Sequence, residues 1–260
     1  MKIASWNVNS LKVRLPQVLD WINLNQPDVL CLQETKQNNG NFPHDIFEQK
    51  GFFSYHNGQN TYNGVAIISN KELIDVQFDI SNFHDEQKRL ISGIYPNNEG
   101  PKFRVISAYI PNGQSLNSDK FEYKINWLKS FISSLQKKID GIENIITGDF
   151  NIAPTKLDCY DSKSWDGKIL VSPQEREYFD KLLNLGFIDT FREMNPNANE
   201  FSWWDYRIPF KRNLGMRIDH ILLSKNLLTF LKKAYIDKTT RTLERPSDHV
   251  PVVTELSLNP

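Results

Sequence analysis

The stretch ENIITGDFNIAP, residues 143–154, contains an apolar strand that ends abruptly in polar groups. Ile145 and Ile146 are typical of a buried strand, and Asp149 and Asn151 follow within three residues of Gly148. Asp and Asn are common in turns, where their side chains bond to nearby backbone, so a turn or a helix cap is one interpretation. The other is a functional edge of a sheet, because strand ends present polar groups to ligands. Residues elsewhere in the chain distinguish the turn or cap from the functional edge.

The composition indicates a folded protein with no bulk preference for charged partners. The chain has 260 residues, of which 39% are hydrophobic and 12% aromatic, so a buried core is expected and long disorder is not. Lys plus Arg is 31 and Asp plus Glu is 31, which gives a net charge of zero. This balance argues against a protein that binds polyanions through a large positive net charge, but it permits a basic groove beside an acidic site. The chain has no linker rich in Gly, Ser or Pro, and we predict one domain over residues 1–260.

The cysteines and the N-terminus bear on the compartment. Cys31 and Cys159 are too few for a disulfide framework, so both are expected to be free thiols in a reducing compartment. The N-terminus is polar by residue 7, unlike a signal peptide, and no apolar run approaches the roughly 20 residues that a membrane helix needs. We therefore expect a soluble, cytoplasmic monomer without membrane contact.

Hydrophobic periodicity predicts helices over residues 12–25, 119–138 and 173–185, the last with Ser172 as its N-cap. The predicted strands cover residues 2–8, 28–33, 64–69, 89–95, 103–110, 144–147, 217–224, 231–237 and 249–256. Because clusters of strands separate the helices, the predicted fold class is α/β (α+β), a sandwich of two packed mixed β-sheets flanked by helices.

Polar residues recur at the ends of these segments. The ones that follow strands are Asn7, Glu34, Tyr109, Asp149 and Asn151, and the ones that open strands are Asp219, Asp248 and His249. Taken singly, each has an ordinary explanation, such as a solvated loop carboxylate for Glu34 or a satisfied histidine for His249. Together they are more informative, because the C-terminal ends of strands lie beside the N-terminal ends of antiparallel neighbours. One mixed sandwich could gather all of them at a single rim.

Such a rim predicts metal-dependent phosphate chemistry. Crowded carboxylates stay ionised together only when a cation is shared. Oxygen ligands with few His and no Cys indicate Mg²⁺ or Mn²⁺ rather than Zn²⁺. The arrangement suits hydrolysis of a phosphate ester, in which the metal stabilises developing charge and a base activates water. Either His249 or Asp149 could be that base, with Asp219 orienting His249.

At this point the order of the motifs is informative in its own right. The six motifs are WNVNSL (6–11), PDVLCLQETK (27–36), TGDFNIAP (147–154), FSWWDYR (201–207), GMRIDHILLS (215–224) and PSDHVPV (246–252). This series, which runs from Met1 to about Leu256, resembles the exonuclease III family of apurinic/apyrimidinic endonucleases, within the endonuclease/exonuclease/phosphatase superfamily. The resemblance implies a four-layer α/β sandwich and a Mg²⁺-dependent DNA repair nuclease of base-excision repair, with Mn²⁺ as a substitute.

The resemblance also implies roles for the polar residues at the strand ends. Glu34 resembles the main metal ligand, and the other implied ligands are Asn7, Asp149, Asn151, Asp248 and His249. The implied catalytic residues are Tyr109 and Asn151 at the phosphate, Asp149 for the attacking water or the leaving group, and the pair of Asp219 and His249.

The implied reaction is cleavage of the DNA backbone on the 5′ side of an abasic site, which leaves a 3′-hydroxyl. Removal of blocking groups from 3′ ends and 3′ to 5′ trimming accompany this activity in the family. The expected partner is therefore double-stranded DNA that contains abasic sites or blocked 3′ ends.

The segment FSWWDYRIPFKRNLGMRID, residues 201–219, interleaves aromatic and basic residues, which is typical of a nucleic-acid contact. Trp203 and Trp204 point to opposite faces if the segment is extended, so one could lie in the core and the other could face a ligand. In the family, residues at the Trp203 and Met216 positions line a pocket for an extrahelical sugar. The predicted DNA-binding residues are Arg89, Asn112, Lys120, Trp203, Trp204, Arg207, Met216 and Arg217.

Two alternatives remain. One is a less specific metal-dependent phosphodiesterase of the same superfamily, acting on intact DNA, RNA or another phosphate ester; the aromatic and basic segment argues against small soluble esters. The other is a catalytically inactive protein that only binds DNA. Every implied ligand position keeps its functional group, which argues against that alternative.

Overall fold

The computed structural model of the protein describes residues 1–81, 83–97, 100–136 and 141–258. Within these ranges the strands are β1 (Lys2–Asn7), β2 (Val29–Gln33), β3 (Phe53–Asn57), β4 (Val65–Ser69), β5 (Ile74–Phe78), β6 (Leu90–Tyr95), β7 (Lys102–Tyr109), β8 (Ile142–Asp149), β9 (Phe187–Asp189), β10 (Trp203–Trp204), β11 (Gly215–Met216), β12 (Asp219–Ser224), β13 (Leu231–Ile236) and β14 (Val252–Leu256). The α-helices are α1 (Leu11–Asn25), α2 (His44–Glu48), α3 (Asp119–Leu135), α4 (Ser162–Trp165), α5 (Pro173–Asn184) and α6 (Thr190–Met194).

In the described part of the chain, the strands form two six-stranded sheets and one small hairpin. The first sheet has the order β13-β14-β1-β2-β4-β3, and the second has the order β5-β6-β7-β8-β12-β9. Both are mixed, because β1 pairs with β2 and β7 pairs with β8 in parallel while their other neighbours are antiparallel. The hairpin pairs β10 with β11, and we call residues 203–216 the tryptophan hairpin.

Four layers result from how the apolar side chains are buried. Helices α1 and α2 cover the outer face of the first sheet through Val18, Trp21 and Phe47. Helices α3 and α5 cover the outer face of the second sheet through Trp127 and Phe179. A third cluster, from the inner faces of both sheets, fills the space between them. Each fully buried side chain of this size contributes about 1.5–3 kcal/mol. The predicted fold class is confirmed.

Helices α3 and α5 begin at side-chain caps, and the one at Ser172 was predicted from the sequence. The Ser118 hydroxyl accepts a hydrogen bond from the Phe121 amide at the start of α3, and Ser172 and Glu175 form a reciprocal capping box at the start of α5. Helix α3 was predicted to end at residue 138, and residues 137 and 138 lie outside the described ranges. In the part of the chain that the structure describes, no helix is both long enough and apolar enough to cross a membrane.

Strands β3 and β5, which the sequence did not predict, lie at sheet edges. Most side chains of β5 are exposed, including Ile74 and Phe78, so this strand lacks the apolar run that marks a buried one.

The register of the second sheet places three of the predicted site residues side by side. Asp149 lies directly opposite Tyr109 in the parallel ladder and opposite Asp219 in the antiparallel ladder. Directly paired residues point to the same face, so the three side chains form one row across β7, β8 and β12. Gly148 permits the close approach of these strands, because a Cβ at this position would lie 1.8 Å from the Ala108 carbonyl oxygen and its φ is +148°. The polar end of ENIITGDF is therefore an edge that faces the other sheet.

Candidate active site

Polar side chains from both sheets meet at this rim. Asn7, at the end of β1, donates through Nδ2 to Asp149 Oδ2 at 2.9 Å and to Glu34 Oε1 at 3.0 Å. The Tyr109 hydroxyl donates to the same Glu34 oxygen at 2.9 Å. Asn7 is fully buried, so its amide is a fixed bridge between two carboxylates from different sheets. The predicted convergence of Asn7, Glu34, Tyr109 and Asp149 is observed.

A second group of buried residues adjoins Asp149. Nδ1 of His249 lies 2.9 Å from Asp219 Oδ2, and the Ser202 hydroxyl donates to that same oxygen at 2.6 Å. On its other side, His249 Nε2 lies 3.7 Å from Asp149 Oδ2. The carboxylate of Asp219 therefore fixes the ring orientation of His249 and directs Nε2 toward Asp149.

The pKa values of Asp149 and His249 are both raised in this group, which holds more carboxylates than cations. Burial, together with the neighbouring Asp219 charge, raises the pKa of Asp149 to about 7, although His249 opposes this shift. Burial alone would lower the pKa of His249, but Asp219 and Asp149 raise it to about 10. The imidazole is thus held in its cationic form by two acidic neighbours.

Glu34 and Tyr109 have different surroundings. Although burial opposes ionisation, the Lys36 ammonium and the Asn7 amide lower the pKa of Glu34. Nζ of Lys36 lies 2.9 Å from Glu34 Oε2. Burial and the Glu34 charge hold the pKa of Tyr109 well above its usual range, so its hydroxyl stays protonated and donates. Glu34 itself adopts a φ of +51°, a conformation that is uncommon for residues other than Gly.

The donor atoms of the rim fit a metal ion. Among the described residues, Asp149, Asp219 and His249 each offer an atom within 4.8 Å of the others, so together they could hold one. Crowded carboxylates and a raised pKa at Asp149 are what a bound divalent cation would relieve. Of the predicted ligands, Asp149 and His249 belong to this cluster, and Glu34 adjoins it through Asn7.

The side chains of two predicted metal ligands, Asn151 and Asp248, form hydrogen bonds with other protein groups. The Asn151 amide donates to the Ile110 carbonyl at 3.0 Å, and its oxygen accepts from Asn112 at 3.0 Å. The Asp248 carboxylate accepts from Asn9 at 2.9 Å and from the Trp203 indole at 3.0 Å. These contacts make Asp248 a support for the tryptophan hairpin, and they do not favour the predicted ligand roles of Asn151 and Asp248.

A cleft of about 650 Å³ opens beside Tyr109 and brings together three predicted DNA-binding residues, Arg89, Asn112 and Lys120. Asn112 and Lys120 are exposed. Arg89 is mostly buried; its guanidinium lies 4.7 Å from the centre of the Tyr109 ring and donates to the Tyr109 carbonyl at 3.2 Å. Arg89 therefore forms the floor of the cleft and holds Tyr109 in place.

The two adjacent tryptophans do point in opposite directions. Trp203 is half-buried, and its ring centre lies 6.5 Å from that of His249. Trp204 is 1% exposed and packs in the core between the sheets, so its prediction as a DNA-binding residue is wrong. Met216, paired with Trp203 in the hairpin, is fully buried with Cys159 and Ile218. It therefore offers no surface to an extrahelical sugar, and its predicted role as a pocket wall is not supported.

Arg217 is also misassigned by the sequence. It is 1% exposed, and its guanidinium donates to Asp158 at 2.7 Å and to both oxygens of Asp189 at 3.0 and 2.7 Å. A side chain committed to two buried carboxylates cannot contact a DNA phosphate. The side chain of Arg207, in contrast, is 88% exposed, and its one hydrogen-bonding partner among the described residues is the nearby Asp205, so it remains available to a ligand.

Comparisons with known proteins identify the family and the fold. The family model described as the endonuclease/exonuclease/phosphatase family matches residues 4–249. The chain belongs to this family. Exodeoxyribonuclease III of Haemophilus influenzae is 38% identical, and the match covers 98% of this chain and 99% of that protein. The resemblance to the exonuclease III family is thereby confirmed.

Solved structures of family members superpose closely. The 3′ phosphatase NExo from Neisseria, bound to a product DNA hairpin, has a TM-score of 0.95 and 42% identity, with 99% of both chains covered. An AP endonuclease from Archaeoglobus fulgidus has a TM-score of 0.93 and 35% identity, again with 99% of both chains covered. The four layers described above are therefore the architecture of these family members.

Within this family member, sequence reasoning missed two residues that touch the polar rim. Ser202 orients Asp219, and Lys36 pairs with Glu34. Both lie inside the motifs FSWWDYR and PDVLCLQETK, so their positions in the sequence could have indicated a role in the site. Their residue types could not, because Ser and Lys beside a carboxylate are ordinary at a protein surface.

Proposed function

We propose that this family member is a DNA repair nuclease of base-excision repair that acts as a monomer with one catalytic domain. Its similarity to nucleases and a 3′ phosphatase supports hydrolysis of phosphate esters in DNA as the class of reaction. The more specific reaction is incision on the 5′ side of an abasic site, together with removal of blocking groups from 3′ ends. The observation that supports it best is the meeting of Glu34, Asp149, Asp219 and His249 at one rim beside the Tyr109 cleft.

The proposed cofactor is Mg²⁺, with Mn²⁺ as a substitute, held by Glu34 and Asp149 with Asn7 orienting both carboxylates. When bound, such a cation stabilises negative charge on phosphate oxygens. Oxygen-rich donors and surplus carboxylates favour a hard cation over Zn²⁺.

The protein's own residues position the phosphodiester and move protons. Tyr109 carries a donor hydroxyl at the edge of the cleft, and cationic His249 presents Nε2 beside Asp149. Asp219 and Ser202 hold the imidazole in that orientation. Asp149 accepts the proton of the attacking water, and cationic His249 stabilises the phosphate or protonates the leaving oxygen.

DNA is proposed to lie across the rim between two surfaces. One is the cleft with Asn112 and Lys120 at its edge, and the other is the tryptophan hairpin with Trp203 and Arg207. Basic side chains neutralise phosphates, and aromatic rings such as indole stack on bases. This division of the surface explains how a chain of zero net charge can bind a polyanion.

A second candidate is an enzyme that processes 3′ ends in preference to internal abasic sites. Burial of Met216 favours it, because the predicted sugar pocket loses one wall. The NExo structure, a 3′ phosphatase with product DNA, is also among the similar structures reported above.

One incision assay separates these possibilities. Single-turnover rates are measured with four substrates: a duplex with an internal tetrahydrofuran abasic analogue, a duplex with a 3′-phosphate at a nick, the intact duplex, and a soluble phosphoinositide. Each is run with Mg²⁺, with Mn²⁺ and with EDTA.

The proposal expects metal-dependent 5′ incision at the abasic analogue, faster than cleavage of intact DNA or the phosphoinositide. A rate that is high only at the 3′-phosphate supports the second candidate. Equal rates on intact DNA, or incision that persists in EDTA, contradict the proposal.

A further inference from the structure

Behind the cleft, Lys124 of α3 is fully buried although lysines rarely are. Its ammonium donates to the Asn151 carbonyl at 2.7 Å, to the Asn112 carbonyl at 3.3 Å, and to Glu175 Oε1. These three bonds use all three N–H donors of the ammonium. One buried cation therefore binds the backbone of two separate loops, the one after β7 and the one after β8.

The partner carboxylate, Glu175, also accepts hydrogen bonds at both of its oxygens. Glu175 Oε1 also accepts from the Leu170 amide at 3.1 Å, and Oε2 accepts from the amide and the hydroxyl of Ser172 at 3.0 and 2.7 Å. Leu170 in turn accepts from the Ala153 amide at 2.7 Å. The pair of Lys124 and Glu175 thus ties α3, the N-terminus of α5 and both loops into one polar network.

The two loops carry amide side chains that face the rim. Asn112 Nδ2 donates to Asn151 Oδ1 at 3.0 Å, and Asn151 Nδ2 donates to the Ile110 carbonyl at 3.0 Å. Asn151 has a φ of +50°, and its backbone N–H donates to Asp149 Oδ1 at 2.9 Å. A shift of the Asn151 backbone would therefore move both its own amide and the Asp149 carboxylate.

The aliphatic part of Lys124 also fixes the first loop. A Cβ built on Gly113 would lie 3.1 Å from Lys124 Cδ, so this loop rests directly on the lysine stem. The φ of Gly113 is +87°, which favours glycine at this contact.

We propose that Lys124, paired with Glu175, is a positioning residue for the reaction: it fixes the two loop carbonyls so that Asn112, Asn151 and Asp149 face the scissile phosphate in one arrangement. This inference rests on the proposed function. Misplacing reacting groups by about 1 Å can lower a rate by about 100-fold, even when the altered residue does not touch the substrate. Lys124 acts through Asn151, and it has no contact with solvent.

The test compares Lys124→Met with Leu128→Ala, a matched control one turn along α3. Leu128 is fully buried against the second sheet and belongs to the apolar cluster under α3. Both variants lower the melting temperature, but only Lys124→Met releases the loops. Single-turnover rate and half-saturating enzyme concentration are measured on the abasic duplex, well below both melting temperatures.

We expect Lys124→Met to lower the rate by about 10- to 100-fold and to change the half-saturating concentration by less than about threefold, because orientation rather than binding is lost. Leu128→Ala keeps the wild-type rate. The inference is overturned if Lys124→Met loses no more rate than Leu128→Ala, or if its loss appears only as weaker binding.

Lys124→Met leaves a buried carboxylate without its cation, which is strongly destabilising. If that variant does not fold, Lys124→Met/Glu175→Gln is compared with Glu175→Gln, so that the lysine is removed without stranding a charge. A rate for the double variant at least about tenfold below that of Glu175→Gln supports the inference, and equal rates overturn it. Failure of the proposed function is distinct, because then the wild-type protein itself does not incise the duplex.

Discussion

Replacing Arg217 with Met is expected to destabilise the protein strongly while leaving its affinity for DNA unchanged. Arg217 is 1% exposed and forms ion pairs with Asp158 and Asp189 at 2.7 Å each. Removing one partner of a buried ion pair costs about 3–5 kcal/mol. Arg192 still reaches Asp158 at 2.6 Å, so the lower end, about 3 kcal/mol, is expected. For a chain of this size, that loss lowers the melting temperature by about 6–12 °C.

The stability lost in Arg217→Met depends on pH. Although burial opposes ionisation, Arg217 lowers the pKa of both Asp158 and Asp189. A carboxylate with a depressed pKa stabilises the fold above its unfolded pKa, about 4, and this stabilisation disappears as the pH falls through the folded value. In Arg217→Met, the cation that lowers the pKa of these two carboxyls is absent, whereas burial still raises it. The difference in unfolding free energy between wild type and Arg217→Met is therefore fully present at pH 7 and is lost as the pH falls below about 4, through the folded pKa values of Asp158 and Asp189.

Arg207→Met is the matched control, because it makes the same chemical change on a side chain that is 88% exposed. Urea unfolding at several pH values gives the stabilities. Fluorescence anisotropy of an abasic duplex in EDTA, from about 50 to 200 mM salt, gives the salt dependence of binding, to which one phosphate contact contributes a slope of about 0.9. We expect Arg207→Met to reduce that slope with little effect on stability, and Arg217→Met to do the reverse. If Arg217→Met reduces the slope and unfolds like wild type, the core assignment of Arg217 is wrong.

Three other expectations concern the polar rim. Glu34→Gln should raise the Mg²⁺ concentration for half-maximal incision by at least about tenfold, and an unchanged titration curve would remove Glu34 from the ligand set. Asp219→Asn should lower the single-turnover rate by about 10²- to 10⁴-fold by releasing His249, whereas a loss of only a few-fold would mean that the imidazole needs no orientation. Trp203→Leu should weaken binding of the abasic duplex by about 1–3 kcal/mol in anisotropy titrations, and equal affinities would place DNA elsewhere.

The sequence predicted the rim well because strand ends carry their own signal. Apolar runs that stop at Asn7, Glu34 and Asp149 indicate both the strands and their polar ends. Chain direction predicted that the end of β8 lies beside the start of β12, and the structure adds the register that sets Asp149 opposite Asp219. The family motifs then assigned the roles, which remain proposals for the experiments above.

The errors lie where partners are distant in the chain. Arg217 reads as a basic residue of a DNA-binding segment, yet it pairs with Asp158, 59 residues away, and with Asp189, 28 residues away. Met216 and Trp204 were predicted to bind DNA for a different reason: a two-residue strand gives no periodicity from which its buried face can be inferred. The edge strand β5 was missed because its side chains are mostly exposed.

The row formed by Tyr109, Asp149 and Asp219 has a consequence for how such an enzyme can be altered. Its spacing comes from backbone hydrogen bonds between three strands and not from the loops that surround it. Inserting one residue into β8 would turn Asp149 away from its neighbours and abolish the reaction, because successive side chains on a strand alternate between faces. Residues 206–212 of the tryptophan hairpin, most of them exposed, lie outside these ladders, so the surface that contacts DNA can be varied there without moving the row.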